Sequence, residues 1–188
     1  MRIELPEDIS EPFKKKVSAL SDVAERSEIH LEQIPAPKGI AEEAIAISAT
    51  VIHADHSEAD RGVGRLVICR DSNYPDGWNG EYRMILYAKS PVETEMGKDP
   101  LVDELPWTWL MDSLTRKSAS FHSEAGTTTR VLSTGHGSLT PQPQHAEIEI
   151  RASWAPEGEN FANHLEAFQD LLALISGLPP SDDKVVHI

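Results

Sequence analysis

Cysteine is almost missing: Cys69 stands alone among 188 residues. No intrachain disulfide can form, as expected of a chain kept in a reducing compartment. Cys69 lies within Leu66-Val67-Ile68-Cys69, where burial as a small hydrophobe is the simple expectation. No apolar run approaches the ~20 residues that span a bilayer. The opening Met1-Arg2-Ile3-Glu4-Leu5-Pro6 carries no apolar signal core. The expected location is the cytoplasm, with no membrane as partner. Cations are scarce as well: 17 Lys and Arg stand against 31 Asp and Glu, a formal net charge of −14. Nucleic-acid affinity comes mainly from Lys and Arg displacing counterions, so direct nucleic-acid binding is disfavoured. The one dense basic run, Lys14-Lys15-Lys16, shares its helix with acidic neighbours and reads as a mixed solvated face. The sequence also lacks a Gly-x-Gly-x-x-Gly, a Walker loop, a His-Glu-x-x-His, a Cys-x-x-Cys pair and a calcium loop. Nothing therefore calls for a cofactor, and none is assigned.

What is present is periodicity. The length suits one domain over 1–180 with a loose tail at 181–188. Phe13, Val17, Leu20 and Ala24 recur at helical steps, predicting a helix near 10–25 capped by Ser10. Strands are predicted at 28–34, 44–53, 63–70 and 81–89, the last three as an antiparallel meander. The strand at 63–70 is apolar on both faces, as a central strand should be. A helix near 104–117 carries Trp107, Leu110, Met111 and Leu114. A threonine-rich strand at 126–134 follows. Then comes the cleanest alternation, Ala146, Ile148, Ile150, Ala152 and Trp154 against Glu147, Glu149, Arg151 and Ser153. The last helix is capped by Asn160 and stopped by Gly177. The order α-β-β-β-β-α-β-β-α groups its strands in runs. That favours an α+β fold, a mostly antiparallel sheet of five or six strands with helices packed on one face.

Four arrangements could carry chemistry or recognition. His53-Ala54-Asp55-His56 offers imidazoles and a carboxylate close together, a donor set that zinc, manganese or nickel accepts. The simpler reading is a solvated hairpin turn, so His53 and His56 are weak metal candidates and no metal is assigned. Gly135-His136-Gly137-Ser138 is not the Gly-x-Ser-x-Gly elbow and reads as a surface loop, although the 135–145 loop stays a candidate should the protein be an enzyme. Glu147, Glu149 and Arg151 share one strand face. They are solvated sheet surface, or a recognition stripe if a partner covers them. Trp107 and Trp109 cannot face the same way on a helix, since two steps rotate about 200°. With Trp78, they join Glu147, Glu149 and Arg151 as candidate partner-binding residues, because Trp is favoured at interfaces. The balance leans away from catalysis and no catalytic residue is assigned. A protein-binding or adaptor module is expected, its partner another protein or a second copy of the chain in a homodimer.

Several motifs carry a resemblance. Gln33-Ile34-Pro35-Ala36-Pro37, Gly77-Trp78-Asn79-Gly80, Trp107-Thr108-Trp109-Leu110, Glu147-Ile148-Glu149-Ile150-Arg151-Ala152-Ser153-Trp154 and Gly177-Leu178-Pro179-Pro180 resemble an actinobacterial family, the domain of unknown function 3000. The resemblance covers nearly the whole chain and implies no activity, cofactor or site residue. It implies one association, a gene neighbourhood with a ribonuclease D-like exonuclease, hence the alternative of an accessory factor in RNA turnover acting through protein contacts. With the first strand set aside, the element order is similar to that of type III secretion chaperones, which are dimeric binders of other proteins. Fold analogy alone does not set function.

Overall fold

The computed structural model describes residues 1–6, 8–52, 62–137 and 145–179. Helix α1, Glu11–Val17, starts where expected. The Ser10 hydroxyl accepts from the Phe13 N–H at 3.4 Å, and Pro12 sits in the first turn, where a missing N–H costs nothing. The α-helix ends earlier than its apolar spacing suggested. From Ser18 to Asp22 the backbone tightens into a 3-10 segment, and the Ser18 hydroxyl donates to the Lys15 carbonyl at 3.1 Å. Such local side-chain bonding competes with regular helix. Phe13, Val17 and Leu20 still form one buried stripe.

Among the described residues, six strands form one sheet: β1 (Ile29–Ile34), β2 (Glu43–Val51), β3 (Val63–Arg70), β4 (Tyr82–Val92), β5 (Phe121–Ser133) and β6 (His145–Pro156). Their spatial order is β1-β2-β3-β4-β6-β5, and every neighbouring pair is antiparallel. The first four strands form a meander, and β6 slots between β4 and β5. Short helix α2 (Thr94–Lys98), a 3-10 turn at Pro100–Asp103 and helix α3 (Leu105–Arg116) connect β4 to β5. Helix α4 (Ala162–Ile175) follows β6. The fold is α+β in the expected order, with α2 added where the sequence suggested only loop. The Asp99 carboxylate accepts from the Leu101 N–H at 2.9 Å and so folds this connection into a turn.

The register explains why the helices pack on one face. Leu31, Ala49, Gly64, Ala88, Ile150 and Thr128 stand opposite one another in a row across all six strands. The row is small at its centre, and Phe168 of α4 fills the gap: a Cβ on Gly64 would lie 2.7 Å from that ring. A parallel row ends at Gly126 of β5, against which Trp107 of α3 packs. Large buried side chains fill the rest, among them Ile45, Ile68, Met84 and Trp154. Helix α4 ends on Gly177 at φ +75°. There the Gly177 and Leu178 N–H groups donate to the Leu174 and Ala173 carbonyls, the paired bonds of a Schellman stop.

The opposite face is covered over half its width. Ala46, Val67 and buried Cys69 form a small second core on β2 and β3, beneath Ile34, Ile40 and Trp78. This cover accounts for β3 being apolar on both sides. Burial pushes the Cys69 thiol up to about 12, so it stays protonated and unreactive at neutral pH.

Candidate functional site

The other half of that face, on β4, β6 and β5, is where polar side chains converge. The pleat sends Tyr87 and Lys89 of β4 to the same side as Glu147, Glu149 and Arg151 of β6, with Thr127 and Thr129 of β5 beyond them. Glu147 faces Lys89 at 3.4 Å and His145 at 3.1 Å. The His145 hydrogen bond and then Lys89 hold its carboxyl below the usual carboxylate range, against some desolvation. The Tyr87 hydroxyl donates to Glu149 at 3.1 Å and the Arg151 Nε donates to it at 2.8 Å. The Arg151 guanidinium also lies 5.5 Å from the Tyr87 ring centroid, a cation–π distance. Tyr87 is pushed up, by desolvation first and then by Glu149.

Each carboxylate is matched by a cation or a hydroxyl. Beside this ladder lies a shallow depression of about 550 Å³ lined by Ile85, Tyr87, Ala125, Thr127, Arg151 and Ser153.

Arg83 fixes the edge of this surface from below. It is 6 % exposed. Its guanidinium donates to the Ser123 carbonyl at 2.8 Å and to the Ser153 hydroxyl at 2.7 Å, and desolvation lowers its pKa. Ser123 sits at φ +54°, inside the register shift between His122 and Ala125. Arg83 thus holds down a β-bulge, the device that re-aims a strand.

The six candidate residues do not converge. Glu147, Glu149 and Arg151 share one row with Tyr87 and Lys89. Trp78 lies on the same side of the sheet, over the second core. Trp107 and Trp109 pack against the main core on the helix side. Trp109 lines an apolar groove of about 850 Å³ with Val102, Leu105, Ile148, Leu174 and Leu178. His53 and His56 lie outside the described residues, as do Ser138 to Gln144 of the 135–145 loop and the 181–188 tail. Among the described residues, no group of three or more His, Cys, Asp and Glu could hold a metal ion, and no helix is long and apolar enough to cross a membrane. Lys14 and Lys15 pair with Glu11 and Glu159, while Lys16 donates to the Gly158 carbonyl, so the basic run is a mixed face. Sequence reasoning missed Tyr87, Lys89, Arg83 and the place of β5 at the end of the described sheet. Alternation places Tyr87 and Lys89 opposite the Met84-Leu86-Ala88 face, but which strand lies beside β4 is a matter of register, not of pattern.

Residues 9–186 match the model of a family described as protein of unknown function (DUF3000). No curated protein matches the chain, and no solved structure does.

Proposed function

The chain belongs to the DUF3000 family of proteins of unknown function, which lends it no activity, and we propose that it is a protein-binding module that docks partners along β5 and the adjoining outer face of β6. One observation carries this reading. β5 runs for thirteen residues, Phe121–Ser133, and among the described residues it ends the sheet with β6 as its sole neighbour.

A strand edge offers unpaired N–H and C=O groups to another chain. Proteins blunt such edges with proline, lysine, bulges, short length or cover, and the bulge of β5 is confined to its start, between His122 and Ala125. β5 contains neither proline nor lysine and holds Thr127, Thr128 and Thr129 in a row, β-branched residues that favour strand pairing. The other edge is managed differently. β1 spans six residues, and Gln33 at its end exchanges hydrogen bonds of 2.6 and 2.8 Å with the Glu4 backbone.

Photo-cross-linking in cells tests the reading. A benzophenone amino acid at Thr129, on β5, should give protein adducts. The same group at Asp22, at the end of the 3-10 segment, should not. No adduct at 129, or equal adducts at both positions, would count against docking at β5.

A further inference from the structure

Resting on that reading, we infer that the occupant of the β5 edge is an extended basic segment of another protein, with apolar side chains toward the helices and Lys or Arg among those between.

The ladder sets which backbone groups are on offer. The Val51 N–H donates to the Gly62 carbonyl, toward β3, and the Asp71 N–H donates to the Glu81 carbonyl, toward β4. Successive N–H groups along a strand point to opposite neighbours, so the register carries this phase across the sheet. From Ala125 onward, the odd-numbered residues of β5 bond to β6. Gly126, Thr128, Arg130 and Leu132 turn their N–H and C=O groups outward. The bulge between His122 and Ala125 precedes all four. The same four residues project to the helix side, where Gly126 lies against Trp107 and Leu132 beside Gly97. An added strand therefore sets every second side chain on that side, opposite these four.

The helix side of the edge is apolar at both ends. Gly126 has no side chain, and the half-buried Trp107 ring stands behind it. A large apolar residue opposite Gly126 covers the glycine and reaches that ring, as aromatic neighbours do for edge glycines. At the far end, exposed Leu132 stands near exposed Leu101 of the turn packed on β5. On the outer side, Ala125, Thr127 and Thr129 are small or polar, with Val131 at their end.

Charge decides the rest. Glu124, Asp99, Asp103 and Glu104 are exposed on the strand and the turn beside it. Arg130 and Lys98, the cations next to them, are already matched. Arg130 is held by Asp103 at 3.4 Å and the Asp99 carbonyl at 2.8 Å, and Lys98 by Glu95 at 2.8 Å. A chain at −14 adds a field that repels its own copy and draws a basic partner.

Fluorescence anisotropy on the full chain tests the inference. Fluorescein-labelled Lys-Phe-Thr-Val-Lys-Ile-Thr-Leu-Lys, whose apolar residues alternate as this edge requires, should bind, and more weakly as salt rises. Its twin with Glu for every Lys should bind roughly tenfold more weakly. The same residues without alternation, Lys-Thr-Lys-Phe-Val-Ile-Leu-Thr-Lys, should not bind. Thr128→Pro removes an outward N–H and spares the β6 ladder, so it should abolish binding with circular dichroism unchanged. Glu124→Lys, an exposed exchange that serves if the proline variant does not fold, should weaken binding by roughly threefold. No binding of the basic peptide, equal binding of either control, or unchanged binding in both variants would overturn the inference. So would a dimer of the free chain that Thr128→Pro dissolves, since a second copy would then hold the edge. Any of these results beside persistent adducts at 129 overturns only the partner's chemistry, whereas loss of those adducts removes docking at β5 itself.

Discussion

His164 is 1 % exposed and accepts at Nδ1 from the Trp154 indole N–H at 3.2 Å, so its own proton sits on Nε2. Burial pushes it down to about 4, with the Glu157 backbone pulling the other way. The unfolded chain binds this proton near 6.5 and the folded chain does not until about 4. Stability from His164 is therefore complete above pH 6.5 and is lost as pH falls toward 4, by roughly 3 kcal/mol at most. The depressed carboxylates Glu25, Glu28 and Glu147 withdraw their contribution only below about pH 4.5, the ordinary carboxylate value. Urea unfolding between pH 7 and 5 should fall steadily, and His164→Leu should flatten that slope while lowering stability throughout. A second residue, Gly126, is set by what stands behind it. A Cβ there would lie 2.7 Å from both the Trp107 ring and the Arg151 carbonyl. Gly126→Val should cost about 1–3 kcal/mol in urea unfolding by overpacking, with a shift in tryptophan fluorescence.

Between elements, the helices are tied down by one carboxylate. Asp170 of α4 is 1 % exposed, with Arg26 at 3.1 Å, Lys117 at 3.4 Å and Arg116 at 3.6 Å. Arg26 reaches on to the Pro179 carbonyl at 2.7 Å. Removing the buried anion leaves the partly buried Arg26 and Lys117 with only Glu28 and Glu166 as carboxylate partners, so Asp170→Ala should lower unfolding free energy by about 3 kcal/mol, read from the denaturant midpoint. This network was invisible in the sequence, since Arg26 and Asp170 are brought together only by the tertiary fold. The strands were legible where alternation is clean: β6 in Ala146 to Trp154, β2 in Ile45 to Val51. β5 was legible only from Gly126 onward. Its first residues, Phe121 to Ala125, hide behind the bulge at Ser123 and Glu124, which breaks the two-residue period. The Glu147-Glu149-Arg151 row was legible as a shared face. Its partners Tyr87 and Lys89 were not, because β6 pairs with β4 across four intervening elements of chain.

At the scale of the whole molecule, charge and topology act together. A chain at −14 repels its own copy over most of its surface, and salt screens that repulsion within about 10 Å at 0.1 M.

The insertion of β6 between β4 and β5 bears on biosynthesis. While the ribosome has delivered only the first five strands, β4 has a bare flank and β5 has no neighbour to lie against. The nascent protein thus presents two sticky ribbons until residues 145–156 emerge, the stage at which holding chaperones would protect it and at which truncated products would clump.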